Sequence, residues 1–136
     1  MLKELYSTFS IEQIGTVISN VEAVHSPDFF HGKKSRIEIR PDLEEALDGI
    51  ENVDYVLVLF YFDKSNPSEG FPLKVHPRGD INKPLKGVFA TRSPRRPNFL
   101  GVTKCKLLSR KGRMLEVEDL DAINGTPVID IKPCRS

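Results

Sequence analysis

The chain has 136 residues, 20 Lys and Arg against 19 Asp and Glu, a net charge of +1 and two cysteines. That length suits one domain, residues 1–136, burying roughly two-thirds of its unfolded surface. The longest apolar run, Tyr55 to Phe62, is too short for a membrane span, Cys105 and Cys134 make no disulfide framework, and His25, His31 and His76 lack metal-ligand spacing.

No charged-then-apolar signal segment opens the chain, so a cytoplasmic protein with free thiols is expected. The first ten residues suggest a short helical arm, and Ile11 to Ile18 predicts a strand. Val21 to Ser35 carries Ser26-Pro27-Asp28, Phe29-Phe30 and His31-Gly32, a loop with partly buried aromatics. Arg36 to Arg40 alternates polar and apolar residues, as a half-buried strand does. From Pro41 to Ile50 the period changes: Asp42 with Glu45 fits a capping box, Leu43 and Leu47 share a face, and Gly49 can stop the turn. This is the one helix predicted.

Val53 to Phe62 is rich in β-branched and aromatic residues and predicts a strand covered on both faces. Phe71 to His76 and Lys86 to Thr91 each predict a further short strand, the second expected to end in buried Val88-Phe89-Ala90. Val102 to Leu108 sets Thr103, Cys105 and Leu107 opposite Lys104 and Lys106. Lys111-Gly112 marks a turn, with Met114 to Glu118 as the hairpin partner. Asn124-Gly125 is the strongest short turn signal, and Val128 to Ile131 closes the series. About seven short strands with one short helix give a mainly β fold, a small antiparallel β-barrel. There is no βαβ alternation and no G-x-G-x-x-G or G-x-x-x-x-G-K-[ST] pattern, so a nucleotide-type ligand needs a non-Rossmann pocket.

Charge is segregated. Lys74 to Arg113 holds 12 basic residues and one acid, Asp80, whereas the rest of the chain holds 8 basic and 18 acidic residues. Such a distribution suggests one positive face, attractive to polyanions despite the near-neutral total. Within it, Gly87-Val88-Phe89-Ala90-Thr91-Arg92-Ser93-Pro94-Arg95-Arg96-Pro97-Asn98 combines three arginines with two prolines. Each proline fixes its own φ and restricts its predecessor, so the guanidinium forks are held for a carboxylate, phosphate or base.

That stretch, with Gly101 just after it, closely resembles the signature of the TsaA-like family, which includes the TrmO tRNA methyltransferases. Asn124 to Pro133 resembles the family's second block, Gln13-Ile14-Gly15 its opening, and Leu57 to Phe62 its central strand. Nearly the whole chain is covered in the right order. The resemblance implies a small β-barrel that binds S-adenosylmethionine, works as a homodimer and methylates tRNA. Characterised bacterial members act on N6 of threonylcarbamoyladenosine beside the anticodon. It further implies cofactor contacts at Asp63 and Lys64, Arg92, Val102, and Ile131, Lys132, Pro133 and Cys134, with Ser26, Pro27 and Asp28 also contributing.

These residue types suit the ligand. Arg92 can grip its carboxylate or stack on its adenine, and Asp63 can accept from the ribose hydroxyls or the ammonium, or simply end a strand. Val102 and Ile131 can wall the adenine slot or be ordinary core, while Lys132 to Cys134 offer backbone groups. Arg78, Arg95 and Arg96 are assigned to RNA. Asp63 and Asp130 are both possible proton acceptors, and no catalytic base is assigned.

The chain departs from the family where Arg-Pro-Asn-Pro-Ile-Gly becomes Arg96-Pro97-Asn98-Phe99-Leu100-Gly101. It has Asp63 for the common His and Cys134 for the common Tyr, and it stops at Ser136 without the bacterial C-terminal extension, so the acceptor stays open. A non-catalytic RNA-binding barrel and a methyltransferase with a small-molecule acceptor are the alternatives.

Overall fold

In the computed structural model, which describes residues 2–23 and 27–135, alternating sequences become strands with one apolar face turned inward. The strands are β1 (Gly15–Ile18), β2 (Lys34–Ile39), β3 (Tyr55–Tyr61), β4 (Lys74–Val75), β5 (Lys86–Gly87), β6 (Leu100–Lys111), β7 (Met114–Glu118) and β8 (Pro127–Cys134). Six of them close an antiparallel barrel in the order β1-β2-β7-β6-β3-β8, and β4 with β5 forms a separate hairpin. Closure leaves the barrel without an open edge. Val17, Ile37, Val56, Val58, Cys105, Leu115, Val117 and Val128 are fully buried inside it.

The expected β6–β7 hairpin is present, Lys111 lying opposite Met114 with Gly112 at a φ of 60°. The first strand is shorter than expected. The strand is Gly15–Ile18, paired with β2 and β8, Ile14 before it still bonds Val128 and Arg40, and Ile11 is exposed. The segment Lys86–Thr91 also differs: β5 ends at Gly87, and Val88–Ala90 is a 3-10 turn that buries Val88 and exposes Phe89.

The helix predicted at 41–50 is replaced by two 3-10 segments, Pro41–Leu47 and Ile50–Asn52, separated by left-handed Gly49. No capping box forms, because Asp42 pairs with Arg40 at 2.7 Å instead. Leu47 still reaches the core. Among the described residues the one α-helix is Leu2–Leu5, where a short helical arm was expected.

β3 sits between β6 and β8 and fixes both registers. Tyr55 lies opposite Lys106 and Cys134, and Leu59 opposite Val102 and Asp130. Residues opposite one another share a face. The inward row Val56, Val58 and Phe60 is buried, but the outward row Tyr55, Leu57, Leu59 and Tyr61 is only half-covered. The expectation of cover on both faces therefore holds on one side within this chain.

A candidate ligand cleft at one end of the barrel

Where β3 runs out, Phe60 and Phe62 stack edge to face with centroids 5.2 Å apart. Gly101 on β6 makes this possible: a Cβ there would lie 2.7 Å from Phe62 and 2.8 Å from Phe60. The backbone then bends away at Asp63, whose N–H donates to Tyr61 at 2.9 Å, and Phe62 N–H ties this bend to Phe99 at 2.8 Å.

The arginine-rich loop stands beside the rings and is braced from within. Arg96 donates to the carbonyls of Thr91 and Ser93 at 2.9 and 3.2 Å. Arg95 donates to Gly70 at 2.7 Å and reaches Ser65 and Glu69, holding the neighbouring loop. Phe99 is buried and meets Phe71 edge to face at 6.4 Å. Asn98 and Phe99 both adopt left-handed φ, 65° and 50°. Two consecutive residues so held mark a corner fixed by its surroundings. Arg92 differs from its neighbours in being exposed, with one bond, to the Val102 carbonyl.

Three clefts adjoin here. One of about 450 Å³ is lined by Phe60, Phe62, Arg92, Arg96, Val102 and Asp121, among others. The next, about 460 Å³, lies between the β4–β5 hairpin and the arginine loop. A narrow one of about 70 Å³ reaches Phe30, Asp63, Lys64 and Ile123. The two larger clefts fall within the range of small-molecule sites, roughly 300–1,000 Å³.

Phe62 and Asp121 line all three. Thr103 Oγ1 donates to Asp121 Oδ1. Burial pushes the Asp121 carboxyl above its ordinary value, against the Thr103 bond and the Arg92 charge, which pull it down. Cys105 lies in the wall behind, and burial, with Asp121 and Asp119, pushes its thiol up to about 12. It stays protonated and takes no part as a nucleophile.

The expected site residues divide. Asp63, Lys64, Arg92 and Val102 line the clefts, and Val102 is 38% exposed, not core. Ile131 packs on the core. Lys132, Pro133 and Cys134 pair with Leu57, Val56 and Tyr55, at the far end of β3. The six steps of β3 from Tyr55 to Tyr61 alone span about 20 Å, with Asp63 beyond them. Asp28 is exposed, 3.8 Å from Arg78, and Pro27 opens the 3-10 turn Pro27–Phe30. Ser26 lies outside the described residues. Arg78 lines both larger clefts. Asp130 is bound to Lys132 at 3.2 Å on the outer face of β8 and lines none of the three clefts. Sequence reasoning missed Asp121. Its one signal is an acid set among apolar residues, between Leu120 and Ala122-Ile123.

A closed barrel with an aromatic, cation-lined cleft at its end defines a small-ligand-binding barrel. The match to known proteins is closer than that. The profile of the tRNA-methyltransferase O N-terminal domain matches residues 18–136, and the chain belongs to that family. It is 48% identical over 97 residues to a probable S-adenosyl-L-methionine-binding protein of Methanocaldococcus jannaschii, covering 71% of this chain and 77% of that one. It is 42% identical over 100 residues to a tRNA (adenine(37)-N6)-methyltransferase of Rattus norvegicus, covering 74% of this chain and 23% of that protein. Among solved structures, TrmO from Pseudomonas aeruginosa superposes with a TM-score of 0.72 at 30% identity, over 95% of this chain and 57% of that one. Another TrmO structure gives 0.76 at 32%, over 95% and 58%. The chain thus spans a little over half the length of the TrmO chains it matches. Among the described residues no helix is long and apolar enough to cross a membrane.

Proposed function

We propose that the chain transfers the methyl group of S-adenosylmethionine to N6 of an adenine in tRNA, the threonylcarbamoyladenosine beside the anticodon, and that it works in the cytoplasm as a homodimer. The observation that carries this is the cleft joining Phe60 and Phe62 to an exposed, tethered Arg92. Its aromatic floor suits an adenine, its guanidinium suits the amino-acid carboxylate, and its volume suits the whole molecule. When bound, the sulfonium supplies an already activated methyl group. The protein's part is then to align the acceptor and exclude water, which accounts for much of such an acceleration.

Asp63, Lys64, Arg92 and Val102 are the cofactor contacts on this chain. Arg78, over the clefts and only loosely paired with Asp28, is the foremost RNA contact. Arg95 and Arg96 present to RNA only the donors left over from bracing the loops. Lys132 to Cys134 complete the site from a second copy, backed by Ile131 against the core. The half-covered outer row of β3 is where that copy would sit, and a two-fold axis across the strands would bring each copy's Lys132–Cys134 end to the other's Val102 end.

The test is calorimetric titration of the purified, ligand-stripped protein with S-adenosylmethionine. Saturable binding is expected, lost in Arg92→Ala while circular dichroism shows the variant folded. Absence of binding, with and without tRNA, would leave a non-catalytic RNA-binding barrel in its place.

A further inference from the structure

We propose that Asp121 takes up the proton that the acceptor nitrogen releases as it is methylated. The inference rests on the transferase function proposed above and adds the group that function leaves unassigned. An amide-like N6–H nitrogen is a poor nucleophile until its proton has somewhere to go. As the new N–CH3 bond forms, the S–CH3 bond breaks with its electron pair left on sulfur, giving a neutral thioether. The N–H electron pair stays on nitrogen and the proton passes to a carboxylate oxygen. The thioether is no base, so the protein must supply one.

Position selects Asp121. It stands where the three clefts meet, so a ligand in any of them passes it. Asp63 borders only the narrow cleft. Asp130 is excluded by its Lys132 partner and its place on the outer face. Thr103 holds one Asp121 oxygen, and no other side chain among the described residues hydrogen-bonds to it. The carboxylate is therefore oriented but not consumed.

Its surroundings set its proton affinity. From the arginine loop Arg92 and Arg96 face it, from the hairpin His76, Arg78 and Lys86, and from the turn after β3 Asp63 and Lys64. Cys105 on β6 lies behind it, protonated. The Thr103 bond and the Arg92 charge favour the carboxylate and burial opposes them, with burial the larger. The outcome is a carboxyl more basic than an exposed aspartate, the direction a general base requires.

The experiment compares wild type, the isosteric Asp121→Asn and Thr103→Val. It measures S-adenosylmethionine binding by calorimetry, carboxyl titration by NMR in the ligand-free protein, and single-turnover transfer of labelled methyl to total tRNA against pH. Asp121→Asn should lose one carboxyl titrating above the ordinary aspartate value and, at saturating S-adenosylmethionine, transfer about 100-fold or more slowly. Wild-type rates should rise with pH as that carboxyl ionises. Thr103→Val removes a bond that favours the ionised form, so both the titration and the rate limb should move to higher pH, an effect no purely structural role produces. Transfer by Asp121→Asn at the wild-type rate would overturn the proposal. So would a loss that vanishes at saturating S-adenosylmethionine, or a limb unmoved in Thr103→Val. Should Asp121→Asn fail to fold, the Thr103→Val limb decides alone. A wild type that binds no S-adenosylmethionine sinks the transferase function itself, and is told apart by the calorimetry.

Discussion

Gly101 carries the tightest steric constraint at the cleft. Its missing Cβ is the space in which the rings of Phe60 and Phe62 meet β6. Phe60 is 2% exposed and cannot swing outward. Gly101→Ala is therefore expected to cost about 1–3 kcal/mol, as overpacking does, lowering the melting temperature by several degrees and weakening S-adenosylmethionine binding together. A melting temperature equal to wild type would mean that the rings have room to give. Arg92 and Asp121 mark the limits of sequence at this scale. Arg92 stands in a run of punctuating prolines and arginines and is conspicuous. Asp121 is one acid among nineteen, and its burial beside Thr103 exists only once β6 and the segment before β8 are folded together.

At the scale of elements, the barrel strands were legible because each has an inner and an outer face, and a period of two records that directly. The segment from Pro41 to Asn52 was not. Its apolar spacing fits a helix, but whether the turn tightens to 3-10 depends on where β2 and β3 leave its ends. What holds it is also distant in sequence. Arg110 on β6, with its side chain 13% exposed, donates to the Leu47 carbonyl at 3.2 Å, approaches Asp48 at 3.4 Å and pairs with Glu51 at 2.6 Å. The Glu51 carboxyl is held below its ordinary value, first by its own backbone N–H and then by Arg110. A depressed folded-state value means the contribution is complete above the unfolded pKa and is lost as pH falls through the folded one. Arg110→Ala should thus melt below wild type at neutral pH, with the gap closing as the solution becomes acidic. A gap that stays constant with pH would show that only packing of the arginine stem matters.

For the whole molecule, the segregated charge seen in the sequence survives folding only in part. Arg110 and Arg113 are neutralised by Asp48, Glu51 and Glu38, while Lys74, Lys83, Lys86 and Arg92 have no ion pair among the described residues. The uncompensated cations therefore stand around the arginine loop and the β4–β5 hairpin and, as Lys104, Lys106 and Lys111, along β6. The division of the expected cofactor residues between the two ends of β3 was invisible in sequence, since both groups lie in blocks that read as equally functional. It leads to the homodimer expectation. The protein should sediment as a dimer, Leu59→Glu on the outer row should give folded monomers with weakened S-adenosylmethionine binding, and Arg92→Ala mixed with a Lys132–Cys134 variant should recover transfer. Leu59→Glu protein that remains dimeric would place the interface elsewhere.

The left-handed corner at Asn98 and Phe99 bears on how this sequence can change. Replacing a residue by the one its relatives usually carry is among the more dependable ways to make a protein sturdier. Here the family's usual residue is proline, whose ring confines φ to about −65°, while Phe99 turns at 50° with its ring buried against Phe71. The consensus step is closed at this position. The aromatic, its partner and the corner are one packed unit, so Phe99→Pro alone is expected to lower the melting temperature rather than raise it.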